Sequence, residues 1–245
     1  MELRRRLAES ADGDYRAFQL RLVPGIPPET VVGVRTPGLR ALARELCGTA
    51  EGEAFLREVP HALFEENLIH FFMLERIRDF DRCAAAVDAF LPYVDCWPVS
   101  DQARPPVFRK NHARLMPWIR RWIRSEHVYT ARFGLRMLMN EFLGEDFSPE
   151  CLELAASRRS GDYYLNMMTA WFFATALAKR YGETVPYMEQ GRLVEWVRRR
   201  ASQTALESGR VTEEHKACLR RLRQTPGPET GPAAQTEEYD DEDTH

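Results

Sequence analysis

The segment Cys96-Trp97-Pro98-Val99-Ser100-Asp101 places a tryptophan and a carboxylate four residues apart. Proline favours the first turn of a helix, and residues four apart in a helix project from the same side. An indole face attracts cations, and a carboxylate stabilises positive charge that develops in a transition state. Trp97 and Asp101 could therefore bind a cationic ring, with Asp101 stabilising a positively charged sugar and orienting a water molecule. The structural alternative, a core tryptophan and a helix-end aspartate, is favoured by spacing alone.

Basic residues are concentrated in three runs, which predict cationic helices. The runs are Arg104, Arg109, Lys110, Arg114, Arg120, Arg121 and Arg124; Arg192, Arg198, Arg199, Arg200 and Arg210; and Lys216, Arg220, Arg221 and Arg223. Repeated cationic helices on one concave face would follow a phosphate backbone. Taken singly, each run is typical of a solvated helix face. Trp118 and Trp122, between the arginines of the first run, are predicted to be packing residues.

The net charge of -3 conceals an uneven distribution. Residues 225–245 are rich in Pro and Gly and hold seven of the 37 acidic residues but none of the 34 basic ones, which leaves residues 1–224 with a net charge of +4. We therefore expect a mildly basic body, residues 1–224, which is compatible with DNA binding but does not by itself indicate it, and a disordered acidic tail, residues 225–245. The tail either has no role beyond solvation or competes with DNA for the basic face.

The remaining composition argues against several classes of protein. Five scattered cysteines without a Cys-x-x-Cys pair, and histidines without metal-ligand spacing, predict no disulfide, no metal site and no cofactor. No apolar run approaches the roughly 20 residues that a membrane span needs. The first residues show no secretory pattern. We expect a cytoplasmic, nucleoid-associated monomer.

Apolar residues recur every three or four positions almost throughout, which predicts an all-α protein. The predicted helices are 1–10, 14–21, 36–47, 51–58, 61–77, 80–92, 97–103, 106–124, 127–143, 149–157, 161–181, 185–199 and 211–223. Many helices with short links in a chain of this length favour a HEAT-like helical-repeat solenoid, an α-α superhelix with a concave basic groove.

A faint internal repeat supports this architecture. Thr130-Ala131-Arg132-Phe133 recurs 39 residues later as Thr169-Ala170-Trp171-Phe172, an offset that suits helix-pair repeats. The repeat predicts that Arg132 and Trp171 occupy equivalent positions on the same inner face.

A series of motifs, in order from about Gly33 to Arg223, resembles the AlkD-like family of DNA alkylation repair glycosylases. The motifs are Gly33-Val34-Arg35-Thr36-Pro37-Gly38-Leu39-Arg40, Phe64-Glu65-Glu66-Asn67, Trp97-Pro98-Val99-Ser100-Asp101, Arg132-Phe133-Gly134-Leu135-Arg136, Asp162-Tyr163-Tyr164-Leu165-Asn166-Met167 with Trp171, and Glu207-Ser208-Gly209-Arg210 with Lys216. The segment before Asp101 departs mildly from the family pattern at Pro98 and Ser100.

The resemblance implies a HEAT-like superhelix that binds duplex DNA and excises N3- and N7-alkylated purines without a deep base-flipping pocket. It maps the catalytic residues onto Trp97, Asp101, Arg132 and Trp171, with Arg132 holding either a phosphate or the Asp101 carboxylate. No lysine adjoins the site in sequence, which predicts hydrolysis without a lyase step. The residues predicted to contact DNA are Arg35, Arg104, Arg109, Lys110, Arg136, Arg210 and Lys216.

Three functions remain open from the sequence. The first is the glycosylase. The second is a non-catalytic HEAT-like protein that recognises bent or branched DNA, as some relatives of this family do. The third is a protein scaffold in which the basic runs are incidental. Glu65 and Glu66 could supply a second carboxylate near the site, although a position on a helix surface or a hydrogen bond between repeats is the favoured interpretation.

Overall fold

The computed structural model describes residues 2–224, and these residues form fourteen α-helices, three short 3₁₀ helices and no strand. The helices are α1 (Glu2–Glu9), α2 (Gly13–Leu22), α3 (Thr36–Leu46), α4 (Ala50–Arg57), α5 (Phe64–Leu74), α6 (Phe80–Phe90), α7 (Trp97–Gln102), α8 (His112–Ile123), α9 (Val128–Phe142), α10 (Pro149–Ser157), α11 (Tyr163–Lys179), α12 (Tyr181–Glu189), α13 (Glu195–Glu207) and α14 (Glu213–Gln224). The predicted all-α helical-repeat class is confirmed. The predicted tail, residues 225–245, lies outside the described residues.

Local sequence explains where many helices begin. Asp12, Asp79 and Asp162 precede α2, α6 and α11, and each carboxylate accepts a hydrogen bond from a backbone N–H of the first turn at 2.8 to 2.9 Å. These bonds satisfy donors that have no partner inside the helix. Proline occupies the first turn of α3, α7 and α10, where its missing N–H costs nothing.

Two predicted helices are wrong in their extent. The helix predicted at 185–199 is two helices, α12 and α13, because Gly191 adopts a left-handed conformation with φ of 65° between them. The helix predicted at 106–124 begins as a 3₁₀ helix, Pro106–Lys110, and becomes α-helical only after Asn111. Neither break changes the fold class.

The chain divides into two compact units, Met1–Met137 and Leu138–His245. In the first unit α5 is central, with all eleven of its residues buried, and it packs against α3, α6 and α7. In the described part of the second unit, α11 packs against α10, α12 and α13. That residues 1–224 form one domain stays a prediction. None of the helices in residues 2–224 is both long and apolar enough to cross a membrane.

Three matching pairs of the 39-residue repeat are buried to similar extents, whereas Arg132 is buried and its counterpart Trp171 is half-buried. Ala131 and Ala170 are fully buried, as are Phe133 and Phe172. In the second unit the Thr175 hydroxyl lies 3.5 Å from the sulfur of Met139, so α11 runs beside the end of α9. The repeat therefore reflects equivalent helices.

The start of α5 fixes the loop between α2 and α3. The Glu65 carboxylate is fully buried and accepts hydrogen bonds from the backbone N–H groups of Val32, Gly33 and Val34, the shortest being 2.7 Å from Gly33. Glu66 accepts from the backbone N–H groups of residues 62 and 63, at 3.1 Å each. Both glutamates are buried and accept hydrogen bonds from backbone N–H groups, so neither lies on a helix surface.

Candidate active site

Three of the four predicted catalytic residues meet in the first unit. Trp97 opens α7, Asp101 lies one turn later, and Arg132 reaches them from α9. Arg132 Nε donates to Asp101 Oδ1 at 2.9 Å, and a terminal guanidinium nitrogen donates to Oδ2 at 2.5 Å. The central carbon of the Arg132 guanidinium lies 6.0 Å from the centre of the Trp97 ring. The indole and the carboxylate therefore face the same side of α7, as their spacing predicts.

The Asp101–Arg132 ion pair is almost completely buried, with 7% of the Asp101 side chain and 2% of the Arg132 side chain exposed. The Ser100 hydroxyl lies 3.1 Å from Asp101 Oδ1 and 3.0 Å from the Trp97 carbonyl oxygen, and it can donate its proton to either. A carboxylate oxygen accepts about two hydrogen bonds. Within residues 2–224, Oδ2 accepts one from Arg132, which leaves it able to accept another.

The indole edge of Trp97 forms a hydrogen bond within the protein. The indole N–H donates to the Leu22 carbonyl oxygen at 2.9 Å, at the end of α2, and the side chain is half-buried. The donor of the indole is therefore used within the protein, and contact with a ligand is left to the ring face. The cation-binding role that the sequence predicts for this residue needs only that face.

Arg136 lies one turn after Arg132 on α9 and adds positive charge to the site. Burial is the main cause of a lowered pKa for Arg136, and the nearby positive charges of Arg132 and Arg104 lower it further, while Asp101 raises it. The Nε atom of Arg136 is buried and has no hydrogen-bond partner among the described residues. Arg132 is thus the arginine that binds the Asp101 carboxylate, and Arg136 lies one turn further along the same helix.

Trp171, the fourth predicted catalytic residue, lies in α11 of the second unit and is half-buried. It occupies the position in its repeat that Arg132 occupies 39 residues earlier. Its approach to Asp101 stays a prediction.

The residues predicted to contact DNA differ in how far their charge is already neutralised. Arg35 pairs with Asp12 at 2.8 Å, and its guanidinium lies 4.9 Å from the centre of the Tyr15 ring. Lys216 pairs with Glu213 at 3.2 Å. By contrast, exposed basic residues that form no ion pair within residues 2–224 are Arg109, Lys110 and Arg210.

Sequence reasoning overlooked two features of this site. The sequence indicates at Ser100 only a mild departure from the family pattern, yet the Ser100 hydroxyl contacts the carboxylate. The resemblance implies that Arg136 contacts DNA, and its spacing of four from Arg132 also indicates that both side chains project from the same side of α9.

Other clusters lie apart from the site. A cleft of about 570 Å³ between α4, α5 and α6 contains none of the predicted site residues. Trp122 is buried, and its indole N–H donates to Asp88 at 3.0 Å, which confirms it as a packing residue. Across residues 2–224, no group of three or more His, Cys, Asp or Glu side chains is arranged to hold a metal ion.

Within residues 2–224, the all-α chain thus has a buried Asp–Arg pair beside an indole face. A family model for DNA alkylation repair enzymes matches residues 3–160, nearly two thirds of the chain. The chain belongs to this family. The match includes Trp97, Asp101, Arg132 and Arg136 and ends before Trp171. No curated protein and no solved structure matches the chain.

Proposed function

We propose that this protein is a DNA glycosylase that hydrolyses the N-glycosidic bond of cationic N3- and N7-alkylated purines, such as 3-methyladenine and 7-methylguanine, in duplex DNA during base excision repair. The observation that carries the proposal is the convergence of Trp97, Asp101 and Arg132 in a chain of the DNA alkylation repair family. Double-stranded DNA with alkylated bases is the proposed partner.

The glycosidic bond of these substrates is already activated, because the alkylated purine is a good leaving group. Alkylation at N3 or N7 makes the purine cationic, so cleavage of the bond from C1′ to N9 leaves the electron pair on a purine that becomes neutral. The sugar becomes oxocarbenium-like, and water adds to C1′ with loss of a proton. An enzyme needs mainly to stabilise the positive sugar and to place the water.

Asp101 has an atom suited to both tasks. Its Oδ2 can accept one more hydrogen bond, which fits the water that attacks C1′, and its negative charge lies close to the sugar in this arrangement. Arg132 fixes the orientation of the carboxylate through two hydrogen bonds. The faces of Trp97 and, by the proposal, Trp171 contact the deoxyribose and the cationic base.

This mechanism includes no covalent intermediate between the enzyme and the DNA. A lyase reaction requires an amine nucleophile, and within residues 2–224 the polar partners of Asp101 are Arg132 and Ser100. We therefore propose a monofunctional enzyme that leaves an abasic site.

The decisive experiment measures release of methylated purines from methylated duplex DNA under single-turnover conditions. We expect Asp101→Asn to reduce the rate on the order of 100-fold or more, because a preorganised electrostatic group is lost. Trp171→Ala should reduce release as well, while both variants still bind DNA. Failure of the wild-type protein to release any alkylpurine would refute the proposal.

Asp88→Asn is the matched control. Asp88 also pairs with an arginine, Arg121, at 3.1 Å and accepts from a tryptophan indole, so its substitution disturbs similar contacts away from the site. We expect this variant to release purines at the wild-type rate. Because loss of one partner of a buried ion pair costs about 3 to 5 kcal/mol, the folded fraction of Asp101→Asn is measured by circular dichroism in the same buffer.

The second candidate is a non-catalytic DNA-binding protein that recognises bent or branched DNA. The burial of Asp101 favours it, since a buried ion pair can be purely structural. It predicts salt-sensitive DNA binding without release of any base, so the same assay separates the two functions.

A further inference from the structure

We propose that Ser100 is a positioning residue for Asp101. In this proposal the Ser100 hydroxyl donates to Asp101 Oδ1 and not to the Trp97 carbonyl oxygen, and it thereby leaves Oδ2 as the carboxylate oxygen that meets the attacking water and the positive sugar. The inference rests on the proposed function for the identity of the substrate. It can nevertheless be tested by DNA binding, without any base release.

The Ser100 hydroxyl has one proton and two acceptors within reach. Ser100 is fully buried, and its oxygen lies 3.0 Å from the Trp97 carbonyl oxygen and 3.1 Å from Asp101 Oδ1. A charged acceptor forms the stronger hydrogen bond. The Trp97 carbonyl begins α7, and in a helix such a carbonyl accepts the backbone N–H four residues later, so it does not depend on the hydroxyl. The carboxylate is therefore the acceptor of the Ser100 proton.

This hydrogen bond makes the two oxygens of the carboxylate unequal. Oδ1 accepts from Arg132 Nε at 2.9 Å and from Ser100 at 3.1 Å, and one carboxylate oxygen accepts about two hydrogen bonds. Within residues 2–224, Oδ2 accepts from a terminal nitrogen of Arg132 at 2.5 Å and from no second donor. Oδ2 is therefore the oxygen with an open acceptor position.

Ser100 also adds a constraint that Arg132 does not supply. The arginine reaches the carboxylate from α9, whereas the hydroxyl belongs to α7, the helix that carries Asp101 itself. The terminal torsion of an aspartate side chain has a broad energy minimum, so donors on two helices restrict the carboxylate more than one donor does. Without the hydroxyl, Oδ1 is open to water as well, and the negative charge is no longer directed at one position.

The test compares binding to two duplexes that carry stable abasic-site analogues. A tetrahydrofuran analogue is neutral, whereas a pyrrolidine analogue carries a protonated ring nitrogen and imitates the positive sugar. The ratio of the two Kd values measures the attraction between Asp101 and that sugar. We expect wild type to prefer the pyrrolidine duplex, Asp101→Asn to lose this preference, and Ser100→Ala to reduce it on the order of 10-fold.

The sign of the change separates positioning from a simple effect on charge. If the hydroxyl only withdrew charge from a carboxylate that is otherwise fixed, Ser100→Ala would strengthen the attraction to the cationic analogue. Loss of position weakens it. Ser100→Cys should give an intermediate preference, because a thiol is a weaker donor of similar size.

Single-turnover release of methylated purines gives a second measurement. We expect Ser100→Ala to slow release on the order of 10-fold while its Kd for the tetrahydrofuran duplex is unchanged. Added to Asp101→Asn, the same substitution should slow release no further, since it acts through the carboxylate.

Val99→Ala is the matched control, because Val99 is a fully buried neighbour in α7 whose side chain cannot form hydrogen bonds. It loses packing but should keep the wild-type ratio of Kd values. Thermal unfolding in the same buffer gives the folded fraction of each variant.

The inference is overturned if wild type shows no preference for the pyrrolidine duplex, if Ser100→Ala keeps or increases the preference, or if Val99→Ala reduces it equally. An equal slowing of release by Ser100→Ala in the wild-type and Asp101→Asn backgrounds also overturns it. A preference that depends on Ser100 in a protein that releases no base upholds the inference and refutes the glycosylase, whereas base release without this dependence does the reverse.

Discussion

Two buried carboxylates in the first unit have opposite surroundings. Glu65, at the start of α5, is bound by three backbone N–H groups of the loop between α2 and α3. Asp101, in α7, is bound by the side chains of Arg132 and Ser100 beside the half-buried ring of Trp97. Both residues are buried, so burial does not distinguish them.

The type of partner distinguishes them. Backbone donors are fixed by the fold, so the bonds of Glu65 stabilise one loop conformation and leave no place for a ligand. Side-chain donors bring their own charge, and those near Asp101 extend to a further arginine whose Nε is unpaired. The comparison predicts that changes at Glu65 act on stability alone, whereas changes at Asp101 act on base release as well as on stability.

Among changes outside the candidate active site, the largest effect on stability is expected from Glu65→Ala. The substitution leaves three backbone donors without their acceptor, and each unsatisfied buried donor costs about 1 to 3 kcal/mol. We expect the free energy of unfolding to fall by at least about 3 kcal/mol in urea denaturation. Glu45→Ala, which removes an exposed glutamate paired with Arg6, should cost less than about 1 kcal/mol. A slower base release by Glu65→Ala at unchanged stability would place Glu65 in the chemistry instead.

An intermediate effect is expected when the pH falls. His70 in α5 stacks on Phe90 at 3.7 Å and contacts His61 at 2.8 Å, and burial is the main cause that lowers the pKa of His70 to about 3. The unfolded chain takes up a proton below its ordinary pKa of about 6.5, whereas the folded protein does not until about pH 3, so stability is lost as the pH falls through this range. At pH 5 the loss due to His70 is about 2 kcal/mol relative to pH 7.5.

Urea denaturation at both pH values measures this loss. In His70→Phe the part due to this histidine should disappear, although His61, whose pKa burial also lowers, retains a contribution. His215→Gln, in α14 of the second unit, should leave the pH dependence of the first unit unchanged. An equal pH dependence in wild type and His70→Phe would contradict the prediction.

The smallest effect is expected from Arg4→Ala. Arg4 donates to Glu66 at 2.7 Å, but its side chain is 60% exposed, and exposed ion pairs contribute about 1 kcal/mol or less. Glu66 keeps its two backbone donors in this variant. If urea denaturation showed that Arg4→Ala lowers the free energy of unfolding by more than about 2 kcal/mol, the main stabilising partner of Glu66 would be the arginine and not the backbone.

The sequence predicted those features that depend on local spacing. The four-residue interval between Trp97 and Asp101 placed them on one side of α7, and the 39-residue repeat matched α9 to α11. The family resemblance implies a role for Arg132 but leaves its partner open between a phosphate and the Asp101 carboxylate. Spacing along the sequence does not show which side chain of another helix an arginine reaches. The hydrogen bonds of Glu65 to residues 32–34 join segments more than 30 positions apart, so periodicity carries no signal for them.

The hydrogen bond from Trp97 to Leu22 bears on how selective such an enzyme would be. An indole whose only donor is occupied cannot read the edge of a base, and its ring responds to charge and flat shape alone. Adenine and guanine adducts with the same positive charge should then be held equally well by Trp97, and neutral adducts of similar size should be held less tightly.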